Sequence, residues 1–269
     1  MRRSITGFSN PTVKFLRSLR DKKHRKLEKR FLAEGLRLLT DARAARRLPE
    51  MLVMASTRQA HPLLDALEAD VAAAGGDIVE MNEAVLAKVT GKDNPQSVCG
   101  VFAEFGTSLA DIDRTAAPIW LVAQAMRDPG NLGTMLRTGD AVGAGGLILL
   151  DDCADPFSVE AVRASMGAVF TQAVALARWD EFIEWLRQGA MIEGGQLVAA
   201  SLRDALPYRD APYAAPCFIL VGNESRGLPQ DFEDACDLRV TIPMAGRADS
   251  LNAAVAAAVL AYEVRAKLG

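Results

Sequence analysis

The chain has 269 residues, half of them hydrophobic, with a formal net charge of −3, enough for one large domain or two modest ones with sizeable cores. No apolar run approaches the roughly eighteen residues a membrane helix needs, so no membrane association is expected. The start, Met1-Arg2-Arg3-Ser4, runs into a polar stretch and not into the apolar centre of a secretory signal, which makes the cytoplasm the expected location.

The near-neutral total hides an asymmetry at the N-terminus. Residues 1–47 hold fifteen Lys or Arg against four Asp or Glu, whereas 48–115 hold four against eleven and 116–269 twelve against nineteen. A basic arm of that density favours a nucleic-acid partner, because cations gain by displacing counterions from phosphates. Within it a helical pattern follows Asn10-Pro11, with Phe15, Leu16 and Leu19 on one face. Residues 31–39 read as a strand passing into a helix. Strands at 51–54, 78–81 and 98–105 then alternate with helices at 62–74 and 83–89, and Gly75-Gly76 stops the first of these helices. The alternation predicts a small α/β/α domain over residues 1–107. Residues 108–118, polar and closed by Pro118, read as a linker.

Beyond 118 the rhythm restarts, and an α/β pattern fills 119–269. Strands are expected at 119–123, 147–150, 173–176, 197–200, 217–221 and 238–242, with helices at 130–142, 159–170, 182–187 and 250–267. Runs such as Cys217-Phe218-Ile219-Leu220-Val221 have the unbroken apolar character of parallel strands buried on both faces. Gly143-Ala144-Gly145-Gly146 precedes a strand and does not follow one, the wrong context for a dinucleotide loop. The four cysteines, Cys99, Cys153, Cys217 and Cys236, form no Cys-x-x-Cys pair, and His24 and His61 are the only histidines. Reduced thiols and no metal are therefore expected.

Three segments at strand-to-helix crossings carry the chemistry, where a parallel sheet binds its ligands. The first is Asp128-Pro129-Gly130-Asn131-Leu132-Gly133-Thr134-Met135-Leu136-Arg137-Thr138, with the helix starting near Asn131 and Arg137 further along it. The second is Val221-Gly222-Asn223-Glu224-Ser225-Arg226-Gly227-Leu228, with a carboxylate, Glu224, at the mouth of the sheet. The third is Ile242-Pro243-Met244-Ala245-Gly246-Arg247-Ala248-Asp249-Ser250-Leu251-Asn252, in which Ser250 is placed to cap the last helix. Capping or ion pairing accounts for each alone, but not for all three together.

In order and content these segments resemble the SpoU (TrmH-like) family of RNA ribose 2′-O-methyltransferases, part of the SPOUT class. The family's elements read Asn-x-Gly-x-x-x-Arg-Thr, Gly-x-Glu-Gly-x-Gly-Leu and Ile-Pro-Met-x-Gly…Ser-Leu-Asn. The resemblance covers residues 119–269 closely, with Ser225 standing where the family usually has glycine. Asn10-Pro11-x-x-Lys14 and Phe31-Leu32-Ala33-Glu34-Gly35 are similar to the family's ribosomal-protein-like RNA-recognition domain. The resemblance implies a C-terminal SPOUT α/β knot, with a parallel sheet and a deep trefoil knot, behind a smaller N-terminal α/β/α RNA-binding domain. It implies S-adenosylmethionine as cofactor, held by Gly222, Ile242 and Leu251 largely through main-chain groups, with Met244 and Gly246 lining the same pocket. Asn131, Arg137, Glu224, Ser250 and Asn252 would form the reacting face. It also implies a homodimer acting on structured RNA, with large-subunit ribosomal RNA the leading substrate. Transfer RNA, or a non-catalytic RNA-binding protein, are the alternatives. Arg137 matches the family's proposed activator. A guanidinium is a poor base, so Arg137 suits stabilising an alkoxide better than taking a proton, and both roles stay open at this stage.

Overall fold

The computed structural model describes residues 1–106, 108–193, 195–223 and 226–269. In chain order the first half holds β1 (Arg2–Ile5), α1 (Pro11–Ser18), α2 (Lys22–Glu28), β2 (Arg30–Glu34), α3 (Leu36–Ala44), β3 (Met51–Ala55), α4 (Pro62–Ala73), β4 (Asp77–Met81), α5 (Glu83–Thr90) and β5 (Val98–Ala103). There follow β6 (Ile119–Gln124), α6 (Pro129–Val142), β7 (Gly146–Leu150), α7 (Val159–Ala164), β8 (Ala173–Ala177), α8 (Trp179–Glu193), β9 (Gln196–Ala200), β10 (Leu206–Pro207), β11 (Cys217–Val221), α9 (Gln230–Asp234), β12 (Leu238–Thr241) and α10 (Ala253–Leu268). The chain divides into two compact units, residues 1–105 with 157–171, and residues 106–156 with 172–269.

The first unit is built on a five-stranded sheet in the order β1-β4-β3-β5-β2, with β5 antiparallel to both of its neighbours. α1 starts where the sequence says it should. Asn10 caps it by accepting from Thr12 N, and Pro11 fills the first helical position, where no N–H is needed. Val13, Leu16 and Leu19 recur every three residues and pack with Val85, Leu86 and Val89 of α5 and with Ile5, Val79 and Met81. A second apolar group is aromatic. Phe31 stacks on Phe102 and lies 4.9 Å, centroid to centroid, from Phe157, while Phe102 lies 4.8 Å from Phe170. Each such pair contributes about 0.5–1.5 kcal/mol beyond area burial, and the cluster explains why residues 157–171 go with this unit. The single helix expected over 159–170 is broken. α7 ends at Ala164 and a 3₁₀ turn follows at Ala168–Phe170, because Met166 and Gly167 take positive φ, 50° and 97°. At Gly167 a Cβ would stand 2.9 Å from the Cβ of Asp41, so only glycine fits.

The second unit carries a seven-stranded sheet, parallel throughout, in the order β10-β12-β9-β11-β6-β7-β8. Strands β6, β7 and β11 are buried along their whole length. α6 and α10 cover one face, α10 lying along α6 and over β11 and β6. On the other face Phe182 and Leu186 of α8 pack with Trp120, Leu197 and Phe218. Residues 108–118 hold a 3₁₀ turn at Leu109–Asp111, and Leu109 and Ile112 pack against this core. The Arg114 guanidinium lies over the Trp185 ring at 4.4 Å. The Gly143–Gly146 run serves packing: a Cβ on Gly145 would enter the Trp120 ring, and one on Gly146 would strike Ala173 O at 2.2 Å. The chain leaves β12, beyond β9 from β11, and returns over β11 and β6 as α10, a course consistent with the knotted C-terminus expected. Each of the four cysteines is a free thiol, and burial pushes those of Cys99 and Cys217 up to about 12.

Candidate active site

β6, β11 and β12 end at Gln124, Val221 and Thr241, and each feeds one of the three motif segments at the carboxyl edge of the sheet. β6 and β11 are neighbours, with Ala123 opposite Val221. At the first crossing Asp128 is the N-cap of α6. Its Oδ1 accepts from Gly130 N at 2.6 Å and Asn131 N at 3.2 Å, so the helix begins at Pro129, two residues before Asn131. At the third crossing Asn252 is the N-cap of α10, its Oδ1 accepting from Ala254 N at 2.9 Å and Val255 N at 3.3 Å. With that oxygen committed, the Asn252 amide donates through Nδ2, and it does so to Asn131 Oδ1 at 3.0 Å. Two residues 121 apart in sequence are thereby joined, and with them the N-termini of two packed helices. Each terminus carries a partial positive charge, which at α6 the Asp128 carboxylate already offsets.

A second link ties the other neighbouring crossing. Asn223 Nδ2 donates to Ala125 O at 2.9 Å, and Asn223 Oδ1 accepts from Arg226 N at 3.2 Å. Ala125 sits at φ 48°, in the left-handed region that non-glycine residues avoid. After β11, Gly227 N donates to Asn223 O at 2.9 Å, which brings these two residues together. Gly222 makes that approach possible: a Cβ there would lie 2.5 Å from Gly227 C and 2.6 Å from Leu228 N.

The third loop is different. Ile242 and Met244 are half-buried, while Gly246, Ser250 and Leu251 are exposed. Among the described residues, nothing in 243–251 makes a hydrogen bond to the rest of the protein. Its main-chain donors and acceptors are open to an outside partner, and a Cβ on Gly246 would meet nothing within 4 Å. An edge-on flat heterocycle recognised through backbone groups fits such a segment.

The structure thus joins Asn131 to Asn252 directly and sets Gly222 on the adjacent crossing. Ile242, Met244, Gly246 and Leu251 lie on the third loop, which begins beyond β9 from Gly222. Among the described residues, no hydrogen bond connects that loop to the Gly222 turn. Arg137 lies about 9 Å along the α6 axis from Asn131. It is exposed, with no hydrogen bond or ion pair among the described residues. Glu224, like Ser225, falls outside the described residues. Ser250 does not have the capping role expected of it. The cap is two residues later, because an asparagine side chain at 252 reaches both free N–H groups of the first turn. Sequence reasoning passed over Asp128 and Asn223. The Asp-Pro pair was a readable helix start, whereas the bond from Asn223 to a carbonyl 98 residues away was not.

Comparison with known proteins places the chain in a family. Residues 118–262, which contain all three crossings, match the SpoU rRNA Methylase family, and residues 10–100 match the MRM3-like substrate binding domain. The chain is 31% identical over 264 residues to the 23S rRNA (guanosine(2553)-2′-O)-methyltransferase RlmP of Bacillus subtilis, covering 98% of this chain and 99% of that protein. Its fold is similar to the crystal structure of an AdoMet-bound rRNA methyltransferase from Sinorhizobium meliloti. The TM-score is 0.90 at 39% identity, over 100% of this chain and 99% of that one. It is also similar to the SpoU methyltransferase AviRb of Streptomyces viridochromogenes in complex with AdoMet, with a TM-score of 0.87 at 26% identity over 96% and 98% of the two chains. The chain belongs to the SpoU rRNA methylase family.

Proposed function

We propose that this protein methylates a ribose 2′-oxygen of large-subunit ribosomal RNA, in the cytoplasm, using S-adenosylmethionine. The observation that carries the reading is the Asn131–Asn252 junction, where the first and third crossings meet at two helix N-termini. The open main chain of 243–251, with Gly222, Ile242, Met244, Gly246 and Leu251, would hold the cofactor, and the chemistry supplied there is an electrophilic sulfonium methyl. The protein's own task is to hold the 2′-oxygen in line and to stabilise it as its proton leaves. Arg137 meets the second requirement. A guanidinium stays ionised at working pH, so it stabilises the emerging alkoxide and steers the adjoining phosphate rather than accepting the proton. Asn131 and Asn252, joined to each other, add polar groups to the reacting face. Ser250 and Glu224 complete the reacting face. The N-terminal unit, with its concentrated cations, grips the RNA. Val255 and Tyr262 of α10 are 45% and 57% exposed, and a second copy covers them in a homodimer.

The test is transfer of labelled methyl to an unmodified 23S ribosomal RNA transcript, with the modified nucleotide mapped, beside the same assay on transfer RNA. Arg137→Ala is expected to lower the rate roughly 100-fold or more, as loss of one charge-stabilising donor does elsewhere, with cofactor affinity nearly kept. Full activity in that variant removes Arg137 from the mechanism, and label in transfer RNA alone reassigns the substrate.

A further inference from the structure

We propose that the RNA backbone is gripped by one row of cations running through α1 and α2, and not by the basic residues of the first unit at large; this rests on the RNA methyltransferase reading above. Lys14, Arg17, Arg20, Lys23, Lys26 and Lys29 recur every three residues from α1 to the end of α2, Arg20 lying between the helices and Lys29 at the C-cap of α2, and all six are exposed. The residues one place before Lys14, Arg17, Arg20 and Lys26, namely Val13, Leu16, Leu19 and Arg25, are buried, whereas Lys22, before Lys23, is exposed and Glu28, before Lys29, is half-buried. In α1 the three-residue period that anchors the helix therefore turns Lys14 and Arg17 outward, and in α2 buried Arg25 leaves Lys23 and Lys26 exposed.

What separates this row from an ordinary solvated face is where the carboxylates are. Arg2, Arg3, Arg30, Arg43 and Arg58 of the same unit each pair with an Asp or Glu at 2.5–3.3 Å. Among the described residues, Lys14, Arg17, Arg20, Lys23 and Lys26 have no carboxylate partner, and Lys29 only reaches Glu104 at 3.9 Å. A cation already neutralised has little to gain from a phosphate, whereas an unpaired one releases counterions when it binds. Lys14, Arg17 and Arg20, with Ser18 and Asp21, also line one shallow depression of about 460 Å³. Asp21 is the acid in it, and its carboxylate is occupied by the backbone N–H groups of Lys23 and His24 at the start of α2. Arg20 is held in place against Gly91, where a Cβ would meet its guanidinium. The row thus offers phosphodiesters positive charge that carboxylates leave available, with Arg20 held in place.

The experiment measures binding of the full chain to an unmodified 23S ribosomal RNA transcript across a salt series. The quadruple variant Lys14→Gln, Arg17→Gln, Lys23→Gln and Lys26→Gln keeps the side-chain stems and leaves Arg20 in its packed position. Its affinity is expected to fall roughly 10-fold or more, and the slope of log affinity against log salt to flatten by about 3, at about 0.7 for each phosphate no longer neutralised. S-adenosylmethionine affinity should not change. The control Arg2→Gln, Arg3→Gln and Arg43→Gln removes paired cations and should leave affinity and slope as they are. A quadruple variant with wild-type slope, or a control that flattens it equally, overturns the row while leaving the methyltransferase reading intact. A wild-type protein that neither binds nor methylates the transcript takes down the reading beneath it as well.

Discussion

Gly222 leaves no room for any side chain, because the backbone of Gly227 and Leu228 occupies the space. Nor can the loop give way cheaply. Asn223 is tied to Ala125 O on one side and to Arg226 N on the other, and Ala125 is already strained. We expect Gly222→Ala to cost about 1–3 kcal/mol of stability, the usual range for overpacking, and to weaken S-adenosylmethionine binding at least roughly 10-fold by pushing the turn away from the sheet edge. Thermal unfolding and calorimetry check both, and wild-type values in the variant would show that the turn opens freely. The motif glycine is legible from sequence as a position where something comes close. What comes close is the protein's own chain, and that was not legible. The same limit applies to Ser250 and Asn252. Both are good capping residues, and the choice between them depends on where the incoming loop delivers the first free N–H groups.

At the scale of elements, the strands of the second unit can be read directly, since a parallel strand buried on both faces is a continuous apolar run. β1 cannot. Arg2-Arg3-Ser4 shows no apolar alternation, and the strand exists because β4 pairs with it in parallel and because acids wait beside it. α2 is equally opaque: its sequence, Lys-Lys-His-Arg-Lys-Leu-Glu, offers one buried residue, Arg25, whose guanidinium donates to Leu19 O at 2.9 Å. β10 is too short to carry a pattern. The β1–β4 edge has a pH signature of its own. Arg2 donates to Glu80 at 2.7 Å and Arg58 donates to it at 2.9 Å, and these bonds hold the carboxyl below its ordinary 4.5. A depressed folded value means that the unfolded chain binds the proton more readily. The edge therefore contributes stability above about pH 4.5 and loses it as pH falls through the lower folded value. Melting curves from pH 7 to pH 3 should show Glu80→Gln less stable than wild type by about 1 kcal/mol or less at pH 7, with the two curves converging in acid. A constant gap across that range would mean that the pairing is not what depresses the group.

For the whole molecule, the proposed homodimer rests on the last helix. α10 is apolar almost all the way round, and a helix of that kind is normally buried on every side. Ala253, Ala254, Ala257, Leu260, Ala261 and Val264 are buried, yet Val255 and Tyr262, seven residues apart and hence on one stripe, face outward. A second copy presenting the same stripe about a two-fold axis satisfies both helices at once, the self-complementary arrangement that closed dimers use. Pairing also bears on catalysis. The second unit is net acidic; with RNA held through the basic N-terminal unit, as proposed above, a dimer would offer two such units to one RNA. We expect a light-scattering mass near twice the 28.9 kDa chain at micromolar concentration, and near 28.9 kDa for Val255→Glu with Tyr262→Glu. Both positions are exposed in the single chain, so the variant should fold and melt cooperatively. Its salt-dependence of RNA binding should flatten and methylation should fall with it. A wild-type mass of 28.9 kDa with full activity would leave the stripe without a partner and the single chain as the catalytic unit.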